Sequence, residues 1–274
     1  MKFPDGTEDP DMEYVLVTGA YGGMGQATVR ALAGNGFRVF ALDKKTGPAE
    51  ENVIPLETDI TDEESVRAAA AKVREFTDRL YGIIHFAGIY MLDSLVEVSS
   101  GNFEKILQVN LFGAFLINKT FLPFLRNGSR IIMTTSELAP LDPLPFTGIY
   151  AVSKSALDKY AYSLRMELQL LGIFVSVIRA GAVKTGMLGV STDELDRFCR
   201  ETEVYRCNAA RFKRIVDSVE SRCVSPSAIA GKALHILRKN KPGFVYGINR
   251  NPLLILLNAL PKPVQLWVIR QVLK

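Results

Sequence analysis

The chain has 274 residues, 48% hydrophobic and 23% charged, with a net charge of +4, enough for one large α/β domain or two small ones around a sizeable core. The charges are scattered, and basic pairs such as Lys44-Lys45 are too short for a nucleic-acid arm, so no nucleic-acid partner is expected. Cys199, Cys207 and Cys223 have neither disulfide nor zinc spacing and read as free thiols in a reducing cytoplasm, with no metal site. His85 and His235 are the only histidines, and both sit in structural-looking patterns, which disfavours a Ser-His-Asp hydrolase.

Residues 1–13 are polar and acidic, with Pro4 and Pro10, and read as a flexible tail rather than a signal peptide. Tyr14 to Thr18 is a short apolar run, predicted as a buried strand. Gly19-Ala20-Tyr21-Gly22-Gly23-Met24-Gly25 follows, then a helix to Ala33 and a second strand, Phe37 to Leu42, ending on Asp43. Strand, glycine-rich turn, helix, strand is the first unit of a dinucleotide-binding fold. Glycines let the backbone approach a pyrophosphate, and the helix offers it unpaired N–H groups and a positive dipole end. Asp43 lies 24 residues beyond Gly19, placed to accept from a ribose 2′-hydroxyl and to repel a 2′-phosphate, which favours NAD. Lys44 and Lys45 could greet that phosphate, so NADP stays open as the alternative.

A third strand is predicted over Val53 to Glu57. Thr58-Asp59-Ile60-Thr61 forms a turn, where Asp59 either holds the turn or faces adenine. A helix capped by Thr61 or Asp62 runs to about Leu80. Tyr81 to Ala87 is predicted as the fourth strand, followed by Gly88 and a loop over 89–100. A helix from about Asn102 to Arg126 carries Asn110, a poor interior helix residue whose apolar neighbours favour a buried polar task. Arg130 to Thr135 is predicted as the fifth strand, ending at Ser136. After a proline-rich loop comes a helix with Tyr150 and Lys154, stopped by Gly172. Residues i and i+4 share a helix face, so a phenol and an ammonium lie side by side. The positive charge lowers the phenol pKa from about 10 and makes the pair a candidate proton donor and acceptor. Alone, Tyr-x-x-x-Lys also occurs by chance on exposed helices.

Phe174 to Ile178 is predicted as a sixth strand, and Val183 and Thr185 lie in the loop at its end. Strands alternating with helices give one doubly wound parallel sheet, with ligands at the carboxyl edge. Residues 191–219 read as a helical, charged lid. A helix over Ser227 to Arg238 and a seventh strand over Phe244 to Gly247 follow. The expected division is a dinucleotide-binding catalytic domain over 14–250 and an apolar helical extension over 251–274. That extension has two readings. One is packing over the substrate site or a second subunit. The other is an interfacial membrane helix anchored by Trp267 and Arg270, giving a cytoplasmic protein with peripheral membrane contact. No apolar run reaches transmembrane length.

Together these residues resemble the short-chain dehydrogenase/reductase family, over about Tyr14 to Gly247. Thr18-Gly19-Ala20-Tyr21-Gly22-Gly23-Met24-Gly25 is similar to its Thr-Gly-x-x-x-Gly-x-Gly turn, and Tyr150 with Lys154 to its Tyr-x-x-x-Lys pair. Ser136 is similar to the serine that precedes the tyrosine, and Asn110 to the asparagine of the fourth helix. The resemblance implies a single-domain Rossmann-type sheet of about seven strands and NAD(P)-dependent hydride transfer between a secondary alcohol and a ketone. It makes Tyr150 the general acid/base and has Lys154 lower its pKa while binding the nicotinamide ribose. It has Ser136 bond the substrate oxygen and Asn110 fix a water that links Lys154 to solvent. It assigns cofactor contacts to Gly19, Tyr21, Gly22, Gly23, Met24, Gly25, Asp43, Asp59, Ile60, Ala87 and Gly88. Thr185 and the Val183 backbone would hold the carboxamide. Members are usually dimers or tetramers, built through the helices bearing Asn110 and Tyr150.

There are departures. His85-Phe86-Ala87-Gly88 replaces Asn-Asn-Ala-Gly, leaving His85 as either structural or a substitute. Ala180-Gly181 replaces Pro-Gly. Ser136 lies 14 positions before Tyr150, about one more than the pattern, with Thr135 as the fallback hydroxyl. The expected pocket walls, 89–95, 138–147 and 187–219, are rich in Leu, Met, Phe and Pro and suggest a steroid-like or long-chain substrate. The competing readings are a catalytically silent dinucleotide sensor or scaffold, and an epimerase or dehydratase, which needs a larger carboxyl-terminal domain.

Overall fold

The computed structural model describes residues 12–220 and 223–274. Most of the expected tail lies outside them, and Glu13 already belongs to the first strand. Seven strands form one parallel sheet: β1 (Glu13–Thr18), β2 (Phe37–Asp43), β3 (Val53–Glu57), β4 (Leu80–His85), β5 (Leu125–Ser136), β6 (Phe174–Ala180) and β7 (Val245–Ile248), in the order β3-β2-β1-β4-β5-β6-β7. The chain runs outward from β1 to β3, then returns to place β4 on the other side of β1. That reversal opens a crevice at the carboxyl ends of β1 and β4.

Alternation along the strands sorts their side chains to two faces. Leu16, Phe40, Ile83, Ile131 and Val175 pack on α2 (Glu63–Arg74), α4 (Gly113–Phe121) and α5 (Gly148–Leu168). Val15, Val39, Ile84, Ile132 and Ile178 pack on α1 (Gly23–Ala33) and α8 (Pro226–Arg238). Both faces are covered, which is why the central strands read as continuous apolar runs. A third cluster lies outside the sheet. It joins Leu92 to Leu195 and Phe198 of α6 (Gly186–Glu201), Ala209 and Phe212 of α7 (Arg206–Glu220), and Leu273 of α10 (Lys262–Leu273).

Local chemistry sets the element ends. Asp62 caps α2 through the N–H groups of Glu64 and Ser65, and Glu63, Glu64, Lys72 and Arg74 complement its dipole. The α5 helix ends in a short 3₁₀ turn at Gly172, which takes φ +70°, while Ile173 N–H returns to Leu168 O. Several expected bounds shift. The helix expected to reach Leu80 ends at Arg74, because Thr77 turns the chain by bonding Arg79. The long helix expected over 102–126 is α3 (Ser100–Leu107), a π turn (Gln108–Phe112), α4 and a 3₁₀ turn containing Pro123, which has no N–H to continue the ladder. β5 therefore starts at Leu125 rather than at Arg130. The lid is two helices, broken at Thr202, whose hydroxyl accepts from Tyr205 N–H and donates to Glu97. The extension is also two helices, α9 (Pro252–Ala259) and α10. Leu273 is buried, which contributes on the order of 2 kcal/mol and seats this segment on the domain. Among the described residues, no helix is long and apolar enough to cross a membrane.

Candidate active site

β1 delivers the chain to Gly19 at φ +64°, where an added Cβ would lie 2.5 Å from the Ala87 nitrogen. Only glycine lets the ends of β1 and β4 approach this closely. The α1 helix then starts at Gly23 with no side-chain cap, so its first N–H groups are left for a ligand. They open onto a cleft of about 850 Å³ lined by Gly19, Gly22, Gly23, Met24, Gly25, Asp43, Ile60, Ala87, Gly88 and Thr185. An uncapped helix start, glycines and one carboxylate on a single wall fit a dinucleotide.

The remaining expected cofactor residues behave differently. Tyr21 contributes its backbone, donating N–H to Asp43 Oδ2 at 2.9 Å, while its ring lies against Gly47 and away from the cleft wall. Asp43 Oδ1 accepts from Lys44 N–H at 2.8 Å. Asp59 lines an adjoining hollow rather than the main cleft. It binds the Lys44 ammonium at 2.7 Å and both the N–H and the hydroxyl of Thr61. Burial opposes its ionisation, but these bonds outweigh burial and hold the carboxyl below its usual pKa. The Val183 side chain is buried, and its backbone bridges to Val224. Thr185 lies against Gly23, where an added Cβ would come within 2.7 Å of its methyl.

Asn110 is buried inside the π turn. Its Oδ1 accepts from Ile89 N–H at 2.8 Å, and its Nδ2 donates to Ile89 O and to Ser153 Oγ. It thereby ties the loop after β4 to the first turns of α5, where Ser153 Oγ donates to Tyr150 O. An added Cβ at Gly88 would lie 3.2 Å from Asn110 Oδ1 and 3.4 Å from Lys154 Nζ, so these three residues meet.

Ser136 Oγ accepts from Leu138 N–H and shares a hydrogen bond with the Tyr150 hydroxyl. The Thr135 hydroxyl instead donates to Asp158, which Arg179 binds through two nitrogens. Thr135 is therefore committed elsewhere, and Ser136 is the hydroxyl beside Tyr150. The buried Lys154 ammonium donates to Thr134 O at 3.2 Å and lies 5.8 Å from the centre of the Tyr150 ring. Burial lowers its pKa to about 8. The Tyr150 hydroxyl lies above its ordinary pKa, because burial and then Tyr90 raise it more than the Ser136 bond lowers it. The expected lowering by Lys154 is not among the effects that move it; desolvation dominates.

The end of the cleft beside Tyr150 holds residues that spacing did not reveal. Tyr90 lines the cleft, and its ring lies 4.8 Å from that of Tyr150. Arg197 of α6 binds Glu194, Glu201, Asp93 and Leu92 O, closing the lid onto the loop after β4. Its neighbours at 194 and 201 read as a solvated helix face, and the partner at 93 had no local signal. The expected walls at 187–191 and 217–219 lie outside the described side chains. His85 is structural. It is fully buried, its Nε2 bonds Asn118 Oδ1 at 2.9 Å, and burial depresses its pKa to about 4, so it is neutral.

A family model described as short chain dehydrogenase matches residues 13–196. Estradiol 17-beta-dehydrogenase 2 of Mus musculus is 34% identical over 205 residues, 70% of this chain and 53% of that protein, so this chain spans about half its length. The oxidoreductase YbbO of Escherichia coli is 32% identical over 241 residues, 85% of this chain and 84% of that one. In fold, the chain resembles a short chain dehydrogenase family protein from Francisella tularensis, with a TM-score of 0.73 and 21% identity over 86% of this chain and 97% of that one.

Proposed function

The chain belongs to the short-chain dehydrogenase family of NAD(P)-dependent oxidoreductases acting on CH–OH groups, and we propose that Tyr150 is its general acid/base. The observation that carries this reading is the convergence of Tyr150, Ser136, Lys154 and Asn110 at the carboxyl edge, beside the glycine turn. The dinucleotide, when bound, supplies or takes the hydride. Ser136 holds the substrate oxygen against the Tyr150 hydroxyl, which gives its proton to a forming alkoxide or, as phenolate, takes one from an alcohol. Desolvation keeps Tyr150 protonated, which suits donation in the reducing direction. Lys154, held near pKa 8 and 5.8 Å from the centre of the Tyr150 ring, is the cation that would hold the nicotinamide ribose and stabilise the phenolate. Asn110 positions α5 through Ser153.

NAD is the preferred cofactor. In support, the Asp43 carboxylate lines the cleft at the end of β2, where it would accept from a ribose 2′-hydroxyl, and Asp59 pairs with the adjoining Lys44. The substrate is apolar, steroid-like or long-chain, since Tyr90, whose ring lies 4.8 Å from that of Tyr150, packs against the apolar cluster of Leu92, Phe146 and Phe198. Exposed Phe112, Phe115, Val152 and Met166 on and beside α4 and α5 support a homodimer or homotetramer.

The test is turnover on a panel of secondary alcohols and ketones, followed by growth or loss of reduced dinucleotide absorbance. Hydrophobic alcohols should outrun sugar-like ones. Tyr150→Phe should lower kcat by at least about a thousandfold, roughly 4 kcal/mol, with dinucleotide affinity nearly unchanged, whereas Lys154→Met should damage both. An active Tyr150→Phe variant would remove the phenol from the mechanism, and preference for polar alcohols would remove the apolar substrate.

A further inference from the structure

The polarity of α9 is inverted for a helix facing water. None of its residues is charged, and none is fully buried. Its polar side chain, Asn258, turns inward, accepting from Asp142 N–H and donating to Leu254 O. Two of its leucines turn outward, Leu253 being 65% and Leu256 63% exposed, while Leu254 and Leu257 are half-buried. The α10 helix repeats the pattern. Gln265 is buried and donates to Asn258 O and Leu260 O, whereas Leu266 and Trp267 are 68% and 62% exposed. Water does not favour this arrangement, and an apolar partner does.

Charge says which partner. Residues 221–274 hold nine Lys and Arg and no Asp or Glu, against 24 and 29 in residues 1–220. Within this acid-free segment, Lys262 pairs with Asp142 of the 138–147 loop, and exposed Arg250, Arg270 and Lys274 flank the exposed leucines and tryptophan. Two copies of such a face would bring like charges together on association. An anionic bilayer surface satisfies both features, taking apolar side chains into the acyl boundary and basic ones at the headgroups. Trp267 has an amphipathic ring suited to that depth.

We propose that α9 and α10 dock this protein on the surface of an anionic lipid bilayer, lying in the interface without crossing it. The docked face borders the substrate end. Asn258 holds the 138–147 loop at Asp142, and Leu273 packs in the cluster with Leu92 and Phe212 that Phe146 and Tyr90 adjoin. Docking would thus set the mouth of the substrate pocket toward the phase in which an apolar substrate is dissolved. This last consequence rests on the apolar-substrate reading above; the docking itself does not.

Trp267 is the chain's single tryptophan, so intrinsic fluorescence reads the site directly. The full chain is mixed with vesicles of phosphatidylcholine, with and without about one third phosphatidylserine, and followed by emission wavelength and co-sedimentation. Anionic vesicles should bind it with a blue shift, and binding should fall as salt rises. Leu253→Glu with Leu256→Glu should abolish co-sedimentation, and Arg270→Glu with Lys274→Glu should weaken it by at least about tenfold. Unchanged turnover of a water-soluble alcohol would show that these variants are folded. Two outcomes overturn the proposal. In one, neither vesicle shifts the emission. In the other, the leucine variant changes only the oligomeric state on a sizing column, which would assign the face to a second copy of this chain.

Discussion

The two ends of the crevice are built by different means. At the cofactor end, position comes from backbone. Gly19 abuts Ala87, Tyr21 N–H meets Asp43, and the start of α1 is set by the strand before it. At the other end, beside Tyr150, position comes from side chains that reach across 65 to 116 residues of sequence. Arg197 finds Asp93, Thr202 finds Glu97, Asn258 finds Asp142 and Asn208 finds Leu273. Sheet geometry leaves the first end little freedom. The second is a set of separable contacts, each replaceable without disturbing the sheet. The lesson is that a fixed cofactor platform carries an adjustable substrate wall.

That contrast can be broken most strongly through His85, which lies at the end of β4 under the cofactor end. Its folded pKa of about 4 lies below the ordinary 6.5, so it contributes stability that is fully present above pH 6.5. That stability is lost as pH falls toward 4, because the unfolded chain takes up the proton and the folded one does not. The loss is on the order of 3 kcal/mol. Denaturant titrations between pH 4 and 6.5 should show a shallower slope for His85→Gln than for the parent. Equal slopes would mean that the ring is not buried neutral.

A smaller effect sharpens the comparison at Asp43. Asp43→Ala should cost about thirtyfold in kcat/KM with NAD, roughly 2 kcal/mol, and raise NADP use relative to NAD. Asp43→Asn keeps an acceptor for Tyr21 N–H and separates the charge from the backbone bond. If neither variant moves the cofactor ratio, the carboxylate does not read the ribose.

The smallest effect belongs to the substrate wall. Arg197→Met removes the lid's ion pairs, partly exposed contacts worth about 1 kcal/mol together. KM for the alcohol should rise several-fold while dinucleotide affinity stays put. A loss of dinucleotide binding instead would show the two ends to be mechanically one.

The same contrast explains what was legible in the sequence. The strands and the glycine turn follow from local patterns, since continuous apolar runs and a turn of glycines each declare a backbone geometry; the order of the strands comes only from the fold. Helical spacing put Tyr150 and Lys154 on one face, and the family resemblance rather than the spacing alone marked them as a candidate catalytic pair. Of the two readings of Asp59, holding the turn is visible in its bonds to Thr61, and the Tyr21 ring lies against Gly47. Asp43 bonding to Tyr21 N–H was hidden, because a carboxylate's partner is set by the closure of the turn. Tyr90 against Tyr150, Arg197 with Asp93 and Thr135 with Asp158 join residues whose sequence neighbourhoods look unremarkable. Only the folded chain brings them together. The break between β5 and the helix before it was missed because a π turn and a 3₁₀ turn carry an apolar pattern close to that of an α-helix.

The π turn over Gln108–Phe112 is a surplus of phase. A π-helical turn holds one more residue than the α-helical ladder requires, and each residue is about 100° of rotation. Together α3 and α4 behave as one rod wound with an extra notch, and Asn110 sits at the notch. Deleting one residue there would leave every hydrogen-bonding side chain in the sequence and still rotate the face that carries Ile106 against the face that carries Ile117. The geometry of the candidate site thus depends on a count as well as on a composition, and a shift in that count is a route by which this scaffold would lose the site while keeping its fold.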